Sequence, residues 1–308
     1  MRSAFSGKLT QALQDIGLDS EENLSSLATA CALAVAKPCC DGWGIQLSTH
    51  GSKTIAQLCR CVKKCATCLG HTSKLDSSGR SHSCVKHSPN KIVNMINSAD
   101  IPARYKDANL KNFDNLSGNG EQAVREIQQW ISGFSKKNDI KGLILGGPVG
   151  VGKTYLLASI AKALIIKEIS VKFVDFFQLI TEIKAGYSDR KSDLSLIAPL
   201  LDVDVLIIDE LGKGRNNEFE LTILDQLVMG RYNANKVIVA STNCSFVETA
   251  SRYAVNVPLD QERSPHGYFA PENFGTLESR VGKRIYSRLA ETTHLIELSG
   301  EDYRRKNC

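Results

Sequence analysis

Eight consecutive residues, Gly147-Pro148-Val149-Gly150-Val151-Gly152-Lys153-Thr154, match the pattern G-x-x-x-x-G-K-[ST]. Glycines at this spacing let successive backbone N–H groups turn toward one point. A helix that begins there adds about half a positive charge. Lys153 supplies a point charge for the terminal phosphates of a nucleotide, and the Thr154 hydroxyl suits Mg2+. A second pair of groups follows 55 residues after Thr154, where the apolar run Val205-Leu206-Ile207-Ile208 ends in Asp209-Glu210. In a parallel sheet that strand end lies near the glycine loop. Asp209 is then placed to hold Mg2+, commonly through water, and Glu210 to orient and deprotonate an attacking water. Asn243 ends another apolar run and is a candidate for the γ-phosphate or the water; a plain turn asparagine is the alternative. Asn235-Lys236 runs on into Val237-Ile238, so the N-K-x-D signature of guanine recognition is absent and ATP is the expected nucleotide.

A different chemistry is written near the N-terminus. Cys65-x-x-Cys68 is followed by Cys84-x-x-His87, a C-x2-C-x15-C-x2-H spacing of the kind that holds zinc. Two such knuckles close a tetrahedral, structural site. Cys59, Cys61, His71 and His82 compete as ligands. An iron–sulfur cluster through Cys59, Cys61, Cys65 and Cys68 is a rival, and a set of thiols without metal is the plainest alternative. Eight of the ten cysteines precede residue 85, which in a reducing compartment argues for metal rather than disulfides. Between Lys53 and Lys91 eight basic residues accompany Asp76 as the one acid. Such a module suits a phosphate backbone or an acidic protein face, or is merely a solvated surface.

These residues need elements to position them. Gly142–Leu145 reads as a buried strand before the glycine loop and Tyr155–Ile166 as the helix after it. Val171–Val174 reads as a strand, Phe176–Gly186 as a helix, Leu194–Leu201 as an extra short helix, and His294–Leu298 as the last strand. A helix is expected around 119–135. Leu277–Glu291 reads as one helix whose Arg280, Arg284 and Arg288 recur every four residues and so share a face. Like charges at that spacing cost about 0.2–0.5 kcal/mol per pair, so the face calls for an anion. Residues 244–276 are polar and irregular, with no chemistry to assign.

The N-terminal stretch reads as two short helices, 8–16 and 21–36, stopped by Pro38. The expected domains are a helical region over 1–37, a zinc-knuckle module over 38–90, a linker over 91–118 and an ATPase domain over 119–308. The chain has 308 residues, is 42% hydrophobic and 23% charged, and carries a net charge of +5, which implies no global basic field. No apolar run reaches 18 residues, so no transmembrane helix and a cytoplasmic location are expected.

From about Ile101 to Arg305 the chain resembles the AAA+ helicase-loader ATPases of the DnaC type and their relatives, the IstB-type transposition helpers. The stretches that carry the resemblance are IPARY…NF from Ile101 to Phe113, GPVGVGKT, LIIDELGKG, RYNANKVIVASTN, RVGKRIYSRL and GEDYR. It implies an AAA+ αβα sandwich with a five-stranded parallel sheet of order 5-1-4-3-2 and no C-terminal helical lid. Asn243 would be sensor 1, Arg288 an arginine finger acting in trans with Arg284 as its partner, and Arg304 the sensor 2 arginine. The helix near 192–201 would line a single-stranded DNA channel. The implied function is ATP-dependent loading of a replicative helicase by a ring or spiral of subunits, with ATP and Mg2+ as cofactors, beside the Zn2+ expected from the cysteine spacing. The alternative is a transposition helper that coats duplex DNA and recruits a transposase.

Overall fold

The computed structural model describes residues 45–59, 73–75, 78–83, 88–113, 118–135, 140–188, 193–214, 217–246 and 275–305. Two antiparallel hairpins come first, β1 (Ile45–His50) with β2 (Lys53–Leu58) and β3 (Ser73–Leu75) with β4 (Ser81–Ser83). Helix α1 (Ser88–Ala99), two 3-10 turns (Ala103–Tyr105 and Leu110–Asn112) and α2 (Gly120–Gly133) lead into the sheet. There β5 (Gly142–Gly146), α3 (Lys153–Ile166), β6 (Val171–Asp175), α4 (Phe176–Ser188) and α5 (Asp193–Asp202) succeed one another. The chain continues through β7 (Val205–Asp209), α6 (Glu218–Asn233), β8 (Val237–Thr242), α7 (Leu277–Val281), α8 (Lys283–Thr292) and β9 (Thr293–Glu297).

Five of these strands form one parallel sheet in the order β6-β7-β8-β5-β9. Counted from β5, that is the expected 5-1-4-3-2. Strand periodicity divides the core into two layers. Leu143, Leu145, Val205, Ile207 and Val239 face one way, against α1, α2 and α3. Ile144, Leu206, Ile208, Ile238 and Ala240 face the other, against α4, α5, α6 and α8. The result is the three-layer αβα sandwich. Helix α3 is apolar nearly all round, with Leu156, Leu157, Ile160 and Leu164 fully buried, because it lies beneath both the sheet and the flanking helices.

Arg231, near the C-terminal end of α6, is completely buried. Its guanidinium donates to the carbonyls of Leu200, Val203, Asp204 and Val237 at 2.7–3.1 Å. Burial pushes its pKa down to about 10, and Asp204 pulls the other way. One side chain thus joins the end of α5 to the starts of β7 and β8.

Three features depart from the sequence reading. Leu277–Glu291 is two helices, because Gly282 at φ 85° breaks the ladder between α7 and α8. Arg280 therefore does not share a face with Arg284 and Arg288. Its Nε and Nη2 instead donate to the carbonyls of Gly212 and Gly214, at 2.9 and 2.6 Å. Residues 91–118, read as a linker, carry most of α1 and both 3-10 turns, which pack on the core. The β1–β2 hairpin was not expected and belongs to the same core through Ile45 and Ala56. Asn97 of α1 donates to the Ala56 carbonyl at 3.1 Å and accepts the Ala56 N–H at 2.7 Å, as a neighbouring strand would. The helices expected over 8–16 and 21–36 lie outside the described residues. Among the described residues, no helix is long and apolar enough to cross a membrane.

Candidate nucleotide-binding site

Strand β5 delivers the chain to the glycine loop, and α3 begins at Lys153. Gly152, its N-cap, has φ 96°, and a Cβ there would lie 2.5 Å from the Phe113 ring. At Gly150, φ 87°, a Cβ would lie 1.9 Å from Asp302 Oδ1. Both positions need the left-handed backbone and the space, so the loop admits no side chain there. The loop residues from Val149 to Thr154 line a cleft of about 330 Å3.

Lys153 Nζ donates to the carbonyls of Gly147 (2.8 Å) and Pro148 (2.6 Å). Burial lowers its pKa to about 8; Asp209 and Glu210 oppose that shift and Arg304 adds to it. A phosphate beside this ammonium would favour its charged form and offset the burial. Thr154 Oγ1 lies 3.2 Å from Asp209 Oδ1, so the two groups expected to share Mg2+ meet. Burial raises the Asp209 pKa, while hydrogen bonds from Ser241 and Thr154 lower it and Glu210 and Asp175 raise it further. A divalent cation between Thr154 and Asp209 would offset that burial cost, so the donor set fits Mg2+.

The cleft brings together Val149, Gly150, Val151, Gly152, Lys153, Thr154, Asp209, Glu210, Asn243 and Arg304. Arg304 reaches it because the chain after β9 crosses the loop. Leu298 N–H donates to Gly146 O at 2.8 Å, and Tyr303 N–H to Gly150 O at 3.1 Å. Arg304 Nε is 3.1 Å from Asp302 Oδ1. Neither Arg284 nor Arg288 lines this cleft. Arg284 Nε lies 3.6 Å from Asp225 Oδ1 of α6, an acidic partner distant in sequence. Arg288 Nη1 donates to Arg284 O at 2.9 Å, and its guanidinium sits 5.6 Å from the Tyr232 ring centre.

Sequence reasoning missed one wall of the cleft. Arg104, Tyr105, Asn112 and Phe113 line the cleft with Tyr155. Tyr105 and Phe113 pack on Tyr155 at centroid distances of 6.5 and 5.8 Å. The Tyr155 hydroxyl ties the segment down, accepting from Asn109 N–H and donating to Asn109 O, both at 3.1 Å. Lys162 Nζ adds a 2.9 Å bond to Lys106 O, and burial pushes its pKa to about 8. The aromatic spacing gave no signal by itself, since the contact is made to a helix about 40 residues on.

The proposed metal ligands Cys65, Cys68, Cys84 and His87 lie outside the described residues, as do Cys61 and His71. Cys59 is described and buried. Among the described residues, no group of three or more His, Cys, Asp or Glu side chains is arranged to hold a metal ion.

Comparison with known proteins agrees with this geometry. Residues 81–255 match the family model for IstB-like ATP binding protein. The replicative helicase loader DnaC of Escherichia coli K12 is 23% identical over 197 residues, 64% of this chain and 79% of the loader. The uncharacterized protein YdaV of the same organism is 29% identical over 161 residues, 51% of this chain and 62% of its own length. A crystal structure of the DnaC helicase loader superposes with a TM-score of 0.51 at 26% identity, covering 64% of this chain and 99% of that one. More than half of the chain thus falls in one family model, over a sheet and glycine loop of the matching kind, and the protein belongs to the IstB-like ATP-binding family of AAA+ ATPases.

Proposed function

We propose that this protein is an ATP-dependent loader of a replicative helicase, which binds the helicase and single-stranded DNA and hydrolyses Mg-ATP between neighbouring copies of itself. One observation carries the reading: the likeness to a solved helicase loader extends over 99% of that loader's chain, at 26% identity. In the proposed mechanism the loop N–H groups and Lys153 bind the β- and γ-phosphates, and Thr154 and Asp209 hold Mg2+. The bound metal neutralises charge on the phosphoryl oxygens. Glu210 takes the proton of the attacking water, Asn243 orients that water or the γ-phosphate, and Arg304 contacts the phosphates from the same chain. Arg288 is supplied by the next copy, with Arg284 beside it. Its position away from its own cleft supports that division of labour. Helix α5 would line the DNA path.

The experiment is a pull-down from the host lysate with and without ATP, scored for a hexameric helicase, followed by transfer of that helicase to single-stranded DNA. Capture of a transposase in its place, with filaments on duplex DNA, would overturn the loader reading. The family model itself is named for IstB, so a transposition helper is the second reading. Residues 60–87 are proposed to hold one zinc ion through Cys65, Cys68, Cys84 and His87, on spacing alone. Elemental analysis of the purified chain checks this: no metal, or iron with a visible chromophore, counts against it.

A further inference from the structure

Ser241, on β8, is almost wholly buried, yet its side chain reaches the cleft. Its hydroxyl donates to Asp209 Oδ1 and accepts the Glu210 N–H at 3.0 Å. Its carbonyl accepts the Leu211 N–H at 2.7 Å. One residue therefore holds the Asp209 carboxylate and the amides on both sides of the Glu210 Cα. That grip is needed because Glu210 sits at φ 57°, a left-handed conformation that a glutamate keeps only when its surroundings impose it. The side chain of a residue so held points where its backbone aims it. The neighbouring hydroxyl does something else: Thr242 Oγ1 donates to Leu211 O at 2.8 Å and accepts from Cys244 N–H at 3.1 Å, and touches neither acid.

We propose that Ser241 is a positioning residue that sets both acids at once, orienting the Asp209 carboxylate for Mg2+ and aiming the Glu210 carboxylate at the water. The inference rests on the roles proposed above for Asp209 and Glu210. A serine suits the position because one hydroxyl can donate its proton to a carboxylate and accept an amide N–H at the same time. Alanine would leave the Glu210 N–H short of one acceptor and the carboxylate short of one donor. The sheet beneath is held by its own ladder and would remain.

The test compares wild type, Ser241→Ala and Ser241→Thr in the full-length protein, with Ser159→Ala as control. Ser159 is another buried serine, but its hydroxyl only back-bonds to Tyr155 O at 2.9 Å within α3. Three quantities are measured: the Mg2+ concentration that half-saturates binding of a fluorescent ATP analogue, kcat and KM for ATP, and the thermal midpoint. Loss of a residue that orients a metal ligand costs about 10–100-fold in metal affinity or activity. Ser241→Ala is therefore expected to raise the Mg2+ half-point and lower kcat in that range, with KM changed by less than about threefold. Threonine, which keeps the hydroxyl, is expected to recover most of both, and Ser159→Ala to change neither. A Ser241→Ala protein that loses only thermal stability, with wild-type Mg2+ half-point and kcat, overturns the inference. If the wild type fails to hydrolyse ATP, the ATPase mechanism falls, while the Mg2+ half-point still decides for or against Ser241.

Discussion

The ammonium of Lys213 pairs with the carboxylate of Glu210, three residues earlier on the turn that leaves β7. The backbone repeats the contact, with Lys213 N–H donating to Glu210 O at 2.9 Å, and Arg280 grips the carbonyls of Gly212 and Gly214 on either side. The ammonium occupies a carboxylate oxygen that the attacking water would need. The pair is partly exposed, so its worth is at most about 1 kcal/mol, or about fivefold in rate. Lys213→Met is expected to raise basal ATP turnover about two- to fivefold with ATP affinity unchanged. Steady-state hydrolysis at low protein concentration measures this, and an unchanged or lower rate would mean that the pair does not restrain the base.

Binding and turnover should separate between Lys153 and Glu210. Removing a general base costs about 10²–10⁴ in rate and spares ground-state binding. Glu210→Gln is expected to bind ATP normally and hydrolyse it in that lower range, whereas Lys153→Ala should lose binding itself. Titration with a fluorescent nucleotide beside a phosphate-release assay checks both. Equal turnover in Glu210→Gln and wild type would remove Glu210 from the mechanism.

Arg288 should act on a neighbour. A finger supplied in trans is worth about 10³–10⁵ in rate. Turnover per chain is expected to rise with protein concentration and with single-stranded DNA, and Arg288→Ala to bind ATP yet lose that rise. Mixing Arg288→Ala with Glu210→Gln should restore part of the activity, since each mutant offers what the other lacks. A dead mixture of co-assembled mutants, or full turnover by dilute monomer, would return Arg288 to a DNA or structural role.

Asp100 joins the hairpin turn to the sheet edge, with Lys53 Nζ and Lys172 Nζ each 2.6 Å from one of its oxygens. Burial opposes its charge, but the hydrogen bonds and charges of Lys172 and Lys53 outweigh that and hold the carboxyl below its ordinary 3.8. A lowered carboxylate pKa gives stability that is present above about pH 4 and is lost as the pH falls through the folded value. Asp100→Asn keeps the left-handed backbone, φ 58°, which asparagine tolerates. It is expected to cost about 1–2 kcal/mol at pH 7 and to flatten the loss of stability as the pH falls below about 4. Urea midpoints at pH 7, 5 and 3 measure it; parallel profiles for mutant and wild type would show that the triad contributes nothing.

The parallel sheet was legible because β5, β7 and most of β8 are short apolar runs, β6 alternates, and the two phosphate-site motifs sit at strand ends. What escaped reading was set by contacts remote in sequence. The strands IQLSTH and KTIAQL are too polar to stand out, and they become strands because Asn97 and the backbone at Ile101 complete their bonding. Helical periodicity carries straight through Gly282, so the break that sends Arg280 to a different task left no trace in the spacing. Arg231 looks like any helix-surface arginine, and only the fold surrounds it with four carbonyls. Phe113 and Tyr105 belong to the site because Tyr155 lies under them, and no local pattern says so.

The Asn97 bridge also decides what kind of attachment the cysteine-rich stretch has. Strand β2 ends at Leu58 and helix α1 begins at Ser88. Those two elements are bonded to each other through Ala56 and Asn97. The segment between them, residues 60–87, therefore starts and ends on elements that are bonded to each other. A protease cut inside it would leave two fragments that still migrate as one folded particle until denaturant separates them. A pull on the two ends of that segment would reach β2 and α1 together, and through them Lys53, Asp100 and the edge of the sheet.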